Sequence, residues 1–569
     1  MNLFGSSSNL IRRETVSLTP EVRRIDSLPR RVWTESEGQR LAELMTKELK
    51  TPQGTMKLRP VQAIALYEAM ETGGLFGPIR VGGGKTVLSM LLAKVLEARW
   101  PILLLPAALI EKTEHDRRIL AEHWKLPTDL EFVSYEILGR VKAADYFKYR
   151  SPELIIADES HRLKNKRAGV TRRVLRYMRE HPDTKFAAMS GTVMKGSIND
   201  FAHILRWCLK DSAPVPQDDE EVMTWAEALD EKINPLARRT PGALMTFVGK
   251  TDGSLEEGRQ AFQYRLLNTK GVVASQRSDG VTCSLRVSAL EYKPAPVTEQ
   301  HFSHVRTTWS TPDGWDFKEA IELRRYLREL ALGFHSIWDP RPPPEWLAAR
   351  KAWSVFVRGV LSNSRSLDTP LQVANVVDAG RLEDDGALAA WRAIEKTFIV
   401  QPKPVWHDDS ALQAAAIWME REKGIVWTEH VFFAKKLAQM TGAAYYGADG
   451  LDESGSSITY VKPGRGIIAS IQANGTGRNL QMFSSNLFAS CPSGPSQMEQ
   501  TIGRTHRDGQ EADEVIVDIL LGCAEHAEAF SRALAGARAA ADTLGHDQKL
   551  LLADLCFPST DQRRGPLWA

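Results

Sequence analysis

From Leu58 onward, short apolar runs alternate with amphipathic helical stretches, and the alternation resumes near Asp408. A strand covered on both faces reads as one continuous apolar run, and its parallel neighbour is reached only through a crossover, usually a helix. The pattern therefore predicts parallel α/β sheets in two blocks and excludes all-helical and meandering antiparallel folds. In the first block the runs are 74–81, 102–106, 130–134, 154–157 and 186–190, with helices over 87–99 and 170–180. In the second, helices at 410–422 and 431–441 accompany strands at 424–428, 466–471 and 515–520.

The blocks are separated by a stretch of different texture. Residues 211–260 are acidic or glycine-rich, and 297–400 read as helical. Nine of the fifteen tryptophans fall between Trp309 and Trp427, so this stretch packs as a unit of its own. Prolines 342–344 stop one helix and open another over 345–360, as prolines do at a first helical turn. The expected organisation is an N-terminal segment (1–56), a first lobe (57–210), a linker with a helical insert (211–407), and a second lobe with a C-terminal tail (408–569).

Composition narrows the class. The 569 residues leave room for three or four domains, and 43% hydrophobic residues can bury more than one core. Lys plus Arg (73) nearly balances Asp plus Glu (71), which excludes a histone-like binder but not a local basic strip. Five scattered cysteines without a C-x-x-C pair predict neither a disulfide framework nor a thiolate zinc site. No apolar stretch approaches the ~20 residues that span a bilayer, so a soluble intracellular protein is expected.

Four segments carry chemistry. Val81-Gly82-Gly83-Gly84-Lys85-Thr86 follows an apolar run and opens a helix. Glycines let several backbone N–H groups point at one phosphate, and the helix N-terminus adds positive potential. Lys85 would neutralise β/γ-phosphate oxygens and Thr86 would ligate Mg²⁺. Ile79 stands where a general P-loop has its first glycine, which argues against a kinase or GTPase. Next, Leu154-Ile155-Ile156-Ala157 ends in Asp158-Glu159, placing two acids at the C-terminal tip of a buried strand, where parallel sheets bind ligands. Asp158 suits Mg²⁺ and Glu159 suits the proton of an attacking water. Third, Ala187-Ala188-Met189-Ser190-Gly191-Thr192 ends another apolar run; taken alone it is an ordinary serine–threonine turn. Fourth, residues 500–510 carry Arg504 and Arg507, three apart and so on one face if helical, suited to stabilise charge on a transferring phosphoryl group.

The order of these segments resembles superfamily 2 helicases and translocases, most closely their SNF2-like branch of compact bacteriophage or bacterial type. The resemblance rests on Leu58-Arg59-Pro60-Val61-Gln62, the run 102–109, Asp158-Glu159-Ser160-His161-Arg162-Leu163-Lys164-Asn165, Ser190-Gly191-Thr192, 424–438, Asn474-Gly475-Thr476-Gly477-Arg478 and 500–510. It covers 57–210 and 408–525. Asn474 and Thr476 depart from the family pattern, in which small residues are common. The resemblance implies two RecA-like parallel-sheet lobes closing on ATP and Mg²⁺. ATP would be held by Arg59, Gln62, Gly82, Gly83, Gly84, Lys85, Thr86, Gly475 and Gln500, and the metal by Thr86 and Asp158. Catalysis would fall to Lys85, Asp158, Glu159, Arg504 and Arg507. It implies movement on duplex DNA, contacted by Pro106, Arg162, Lys164, Ser190, Thr192 and Thr476. It also implies a place in the cytoplasm of a bacterium or phage-infected host, no membrane, and replication, recombination or repair proteins as further partners. Two alternatives stand beside it: a strand-separating or fork-remodelling helicase, and a scaffold that binds nucleic acid without hydrolysing ATP.

Two further features bear on DNA. The basic run 161–176 is either a phosphate grip or a solvated helix face. Trp346 and Trp353 are seven apart, a spacing that favours core over a base-stacking platform. Asp313, Asp316 and Lys318 lie too close in sequence for a nuclease site.

Overall fold

The computed structural model describes residues 14–556 except 80–83, 141–142, 144, 191–196, 231–232, 234–236, 276–282, 313–315, 318, 365–366, 463, 476, 493, 508 and 545–547. The chain is α/β, with two wholly parallel sheets. The first has five strands in the order β1-β5-β4-β2-β3: β1 (Leu75–Gly77), β2 (Ile102–Leu105), β3 (Glu131–Ser134), β4 (Leu154–Asp158) and β5 (Lys185–Met189). All five coincide with apolar runs in the sequence. Alternate side chains enter opposite faces, as the two-residue period of a strand requires. Leu104, Ile155, Ala157 and Phe186 join one apolar layer; Leu103, Leu105, Ile156 and Ala187 join the other.

The stretch 211–407 divides between the two sheets rather than forming one insert. Val222, Trp225, Phe247 and Phe262 pack into the first unit's core. Beyond them lie β6 (Ser284–Glu291), the antiparallel pair β7 (Phe334–Trp338) and β8 (Pro402–Trp406), then β9 (Ile425–Thr428), β10 (Tyr445–Tyr446), β11 (Ile467–Ser470), β12 (Ser485–Phe488), β13 (Glu514–Leu521) and β14 (Asp554–Cys556). The second sheet runs β10-β11-β9-β12-β13-β6-β14, so β6 lies between β13 and the edge strand β14. Its layers again alternate, with Ile425 and Trp427 on one face and Val426 on the other.

The N-terminal segment also belongs to the first unit. Val16, Val22 and Ile25 are core residues. Buried Glu68 ties three stretches together, accepting from Arg31 (3.1 Å), Trp33 Nε1 (2.9 Å) and the Gly271 N–H (2.8 Å). Thr34 and Glu37 form a reciprocal capping box that starts the helix Glu35–Leu49. Trp346 and Trp353 are buried, Trp346 edge-on to Trp391 and Phe398, in agreement with the core reading. All five cysteines are unpaired. Among the described residues, no helix is long and apolar enough to cross a membrane.

Burial leaves the fold sensitive to acid. His203, bonded through Nε2 to the Leu163 carbonyl at 2.9 Å, is held down to about 4 by burial. Its folded pKa lies below its unfolded value, so its share of stability is complete above pH 6.5 and lost as pH falls towards 4. Buried Asp230, pushed up to about 6, acts in the opposite sense. By pH 5 the loss from His203 is about 2 kcal/mol. His203→Gln is expected to lose less melting temperature between pH 7 and pH 5 than the unaltered chain. Equal losses in the two proteins would contradict the assignment.

Candidate functional site

The chemistry-bearing residues gather at the C-terminal edge of the first sheet. Gly84 adopts φ +74°, open to glycine without strain, and caps the helix Lys85–Val95. A Cβ there would stand 2.2 Å from the Gln62 amide nitrogen. Gln62, buried on the helix Pro60–Thr72, donates to the Gly84 carbonyl at 3.1 Å and accepts from the Arg59 N–H at 2.8 Å. The Arg59–Gln62 segment therefore braces the turn that follows β1. Thr86 lies half-buried in the first turn of that next helix. Gly82, Gly83, Thr192 and Thr476 lie outside the described residues.

Lys85 Nζ donates to the Ile79 carbonyl at 3.2 Å and stands 4.0 Å from Glu159 Oε1. Glu159 follows β4 with φ +53°, a left-handed conformation that costs a non-glycine residue roughly 1–3 kcal/mol. Its N–H donates to Asp158 Oδ1 at 3.0 Å, which holds the turn. Tyr135 anchors the same turn, its hydroxyl donating to the Asp158 carbonyl at 2.6 Å. Burial, then the neighbouring Glu159 charge, pushes the Asp158 carboxyl up. Burial also acts on Glu159, but Lys85, His161 and Arg504 outweigh it and hold that carboxyl well below the usual range. The pair thus differs in character: Glu159 is a stable carboxylate, and Asp158 is a desolvated acid whose charge needs a cation.

Ser190, assigned to nucleic acid by resemblance, sits beside the acids. Its Oγ is 3.0 Å from His161 Nδ1 and 3.5 Å from Glu159 Oε2. His161 Nδ1 itself is 3.4 Å from Glu159 Oε2. Pro106 is buried just after β2. Beside it, the Ala107 N–H and Arg162 both donate to Glu136, at 2.9 and 2.6 Å. Lys164 is half-buried one turn on.

The second unit supplies the facing cations. The helix Pro495–Ile502 ends before both arginines, so Arg504 and Arg507 lie on the following turn, not on the helical face that their spacing predicts. They still converge, each donating to the Arg478 carbonyl, at 3.2 and 3.4 Å. Arg504 is 3% exposed and also donates to the Gln500 carbonyl at 2.9 Å. Burial and Arg507 bring its pKa down to about 10, against the pull of Glu159, so it stays charged at neutral pH. Gly475 is buried at the end of the helix Ile471–Asn474, where a Cβ would meet the Ile471 carbonyl at 2.4 Å. Gly477, at φ +75°, lies against Leu109 of the first unit. The units therefore touch beside the acids.

One cation escaped the sequence reading. Lys112, on the helix Ile110–His123, feels Asp158, Arg504 and Arg507 together. Burial pushes its pKa down, Asp116 opposes this, and the two arginines reinforce it. Nothing in the local sequence marks it. His161, by contrast, stands two residues after Glu159 in a segment already singled out.

Much of the basic run 161–176 is bonded within the protein, while Arg162 and Arg167 are exposed. Lys166 pairs with Asp219 at 2.9 Å. Arg172, Arg173 and Arg176 bond to residues 361–368. At the sheet edge, Lys85 and Lys112 of the first unit and Arg504 of the second act on the buried acid pair. That arrangement suits an oligophosphate, and Asp158 and Thr86 are the residues that could hold a divalent cation beside it. No protein-family model and no curated protein matches the chain.

Proposed function

We propose that the chain is an ATP-dependent translocase on duplex DNA, with two RecA-like lobes of the SNF2-like kind. The observation that carries this reading is the meeting of Lys85, Asp158 and Glu159 of one parallel-sheet unit with Arg504 and Arg507 of the other. A nucleotide bound between two units couples its own cleavage to their relative movement.

Lys85 and the Gly84 turn bind the phosphates. Glu159, kept ionised by Lys85 and His161, orients a water and takes its proton. Arg504 balances the charge that develops on the transferred group. A magnesium ion, when bound, would neutralise phosphate oxygens, and Asp158 and Thr86 would hold it. His161 and Ser190 position Glu159, which links the acid pair to the end of β5. Duplex DNA is gripped at phosphates rather than bases, so binding weakens steeply with salt.

Displacement of a triplex-forming strand separates movement from unwinding. The reading expects ATP-dependent displacement of the third strand with the duplex left intact. Release of single strands from a forked duplex, without triplex displacement, would favour a strand-separating helicase.

A further inference from the structure

The helices Pro344–Asn363, Pro370–Asp378 and Ala387–Ile394 enclose a small apolar core of their own, built on Trp353, Val357, Val373 and Leu388. This insert is rooted in the second unit. Its two connecting strands, β7 and β8, pack through Phe334 and Trp406 onto the layer that holds Val426, Ile468 and Leu487.

The insert's other attachment is to the first unit. Arg172, on the helix Gly169–Glu180, donates to the carbonyls of Leu361, Ser364 (2.8 Å) and Leu367 (2.9 Å). Asp368 pairs with Arg176 at 2.9 Å and with Arg173 at 3.4 Å. The Asp368 and Arg173 side chains are 0% and 1% exposed. Among the described residues, no apolar cluster is shared between the insert and the first unit. The attachment is therefore made of charge and hydrogen bonds. Such contacts fix register, yet release without exposing a core.

We propose that the insert is a brace that ties the first α/β unit to the second and keeps Glu159 and Arg504 facing one another. Separating the units requires the Arg172–carbonyl and Asp368–arginine bonds to break. A unit tethered at both ends samples fewer separations, so less ordering remains to be done when a ligand binds between the units. The brace itself is independent of what the cleft binds. Its effect on ATP rests on the proposed function.

The test places spin labels on the full chain at Tyr149→Cys and Tyr460→Cys, both 82% exposed, one on each unit. Cys283, Cys523 and Cys556, the thiols that are not buried, are replaced by serine. Distances are measured by double electron–electron resonance without nucleotide. Arg172→Ala is expected to broaden the distribution towards longer separations and to raise KM for ATP by roughly fivefold or more. Asp368→Asn is expected to act in the same direction. Distributions in both variants that superimpose on the unaltered one, with melting confirming that both are folded, would overturn the brace. Absence of ATP turnover in every protein, with the distances still broadened, would count against the proposed function and leave the brace supported.

Discussion

Glu159→Gln is expected to lower steady-state ATP turnover by about 100- to 10,000-fold, the usual worth of a positioned proton acceptor, while ATP binding persists. The expectation rests on how the side chain is held. Its backbone is fixed in the left-handed region, and its carboxylate lies within 4.0 Å of Lys85 and 3.4 Å of His161. The substitution keeps the shape and removes the proton-accepting charge. It also takes away the negative neighbour that pushes Asp158 up, so that carboxyl becomes easier to ionise. Phosphate release and nucleotide binding, measured on the same preparation, separate chemistry from affinity. Turnover equal to that of the unaltered chain would remove Glu159 from the mechanism.

Arg504→Ala is expected to be at least as damaging, with a loss of about 10³- to 10⁵-fold in turnover if Arg504 acts as an arginine finger. Its guanidinium is almost wholly buried, bonded to the Gln500 and Arg478 carbonyls, and near enough to Glu159 for each charge to shift the other. Arg504→Lys keeps a charge but loses the planar fork, so recovery should be small. Arg507, half-buried and bonded to Arg478 and Asn479, is expected to matter less. Melting curves guard against loss of fold. A folded Arg504→Ala protein with full turnover would remove Arg504 from the mechanism.

Much of the frame could be read from residue order. Strands buried on both faces announce themselves as apolar runs, and all five strands of the first sheet did so. The acids fall at the end of β4 and Lys85 opens a helix, as the sequence placed them. β12 was missed because it carries Ser485 and Asn486, and polar residues break the run. Asn486 is nonetheless buried, satisfied by Trp427 Nε1, Thr505 Oγ1 and the Ile516 carbonyl. β6 was missed because its partner β13 is remote in sequence, Ser284 lying opposite Glu514. The spacing of Arg504 and Arg507 suggested a helix, but the chain leaves helical geometry at Gly503. Composition also misled in the run 161–176. Seven basic residues announce charge, yet only the tertiary position of residues 361–368 decides that three of them hold the insert. Lys112 was illegible for the same reason, since its place in the cleft depends on where the second unit lies.

The proposed translocase hydrolyses ATP where its two units meet, in response to duplex DNA. The most direct test is phosphate release by the full chain with Mg²⁺ and ATP, alone and with duplex DNA, single-stranded DNA or RNA, side by side. The account predicts slow turnover alone and stimulation strongest with duplex DNA, weakening as salt is raised. Turnover that is absent under every condition, or unchanged by any nucleic acid, would contradict it.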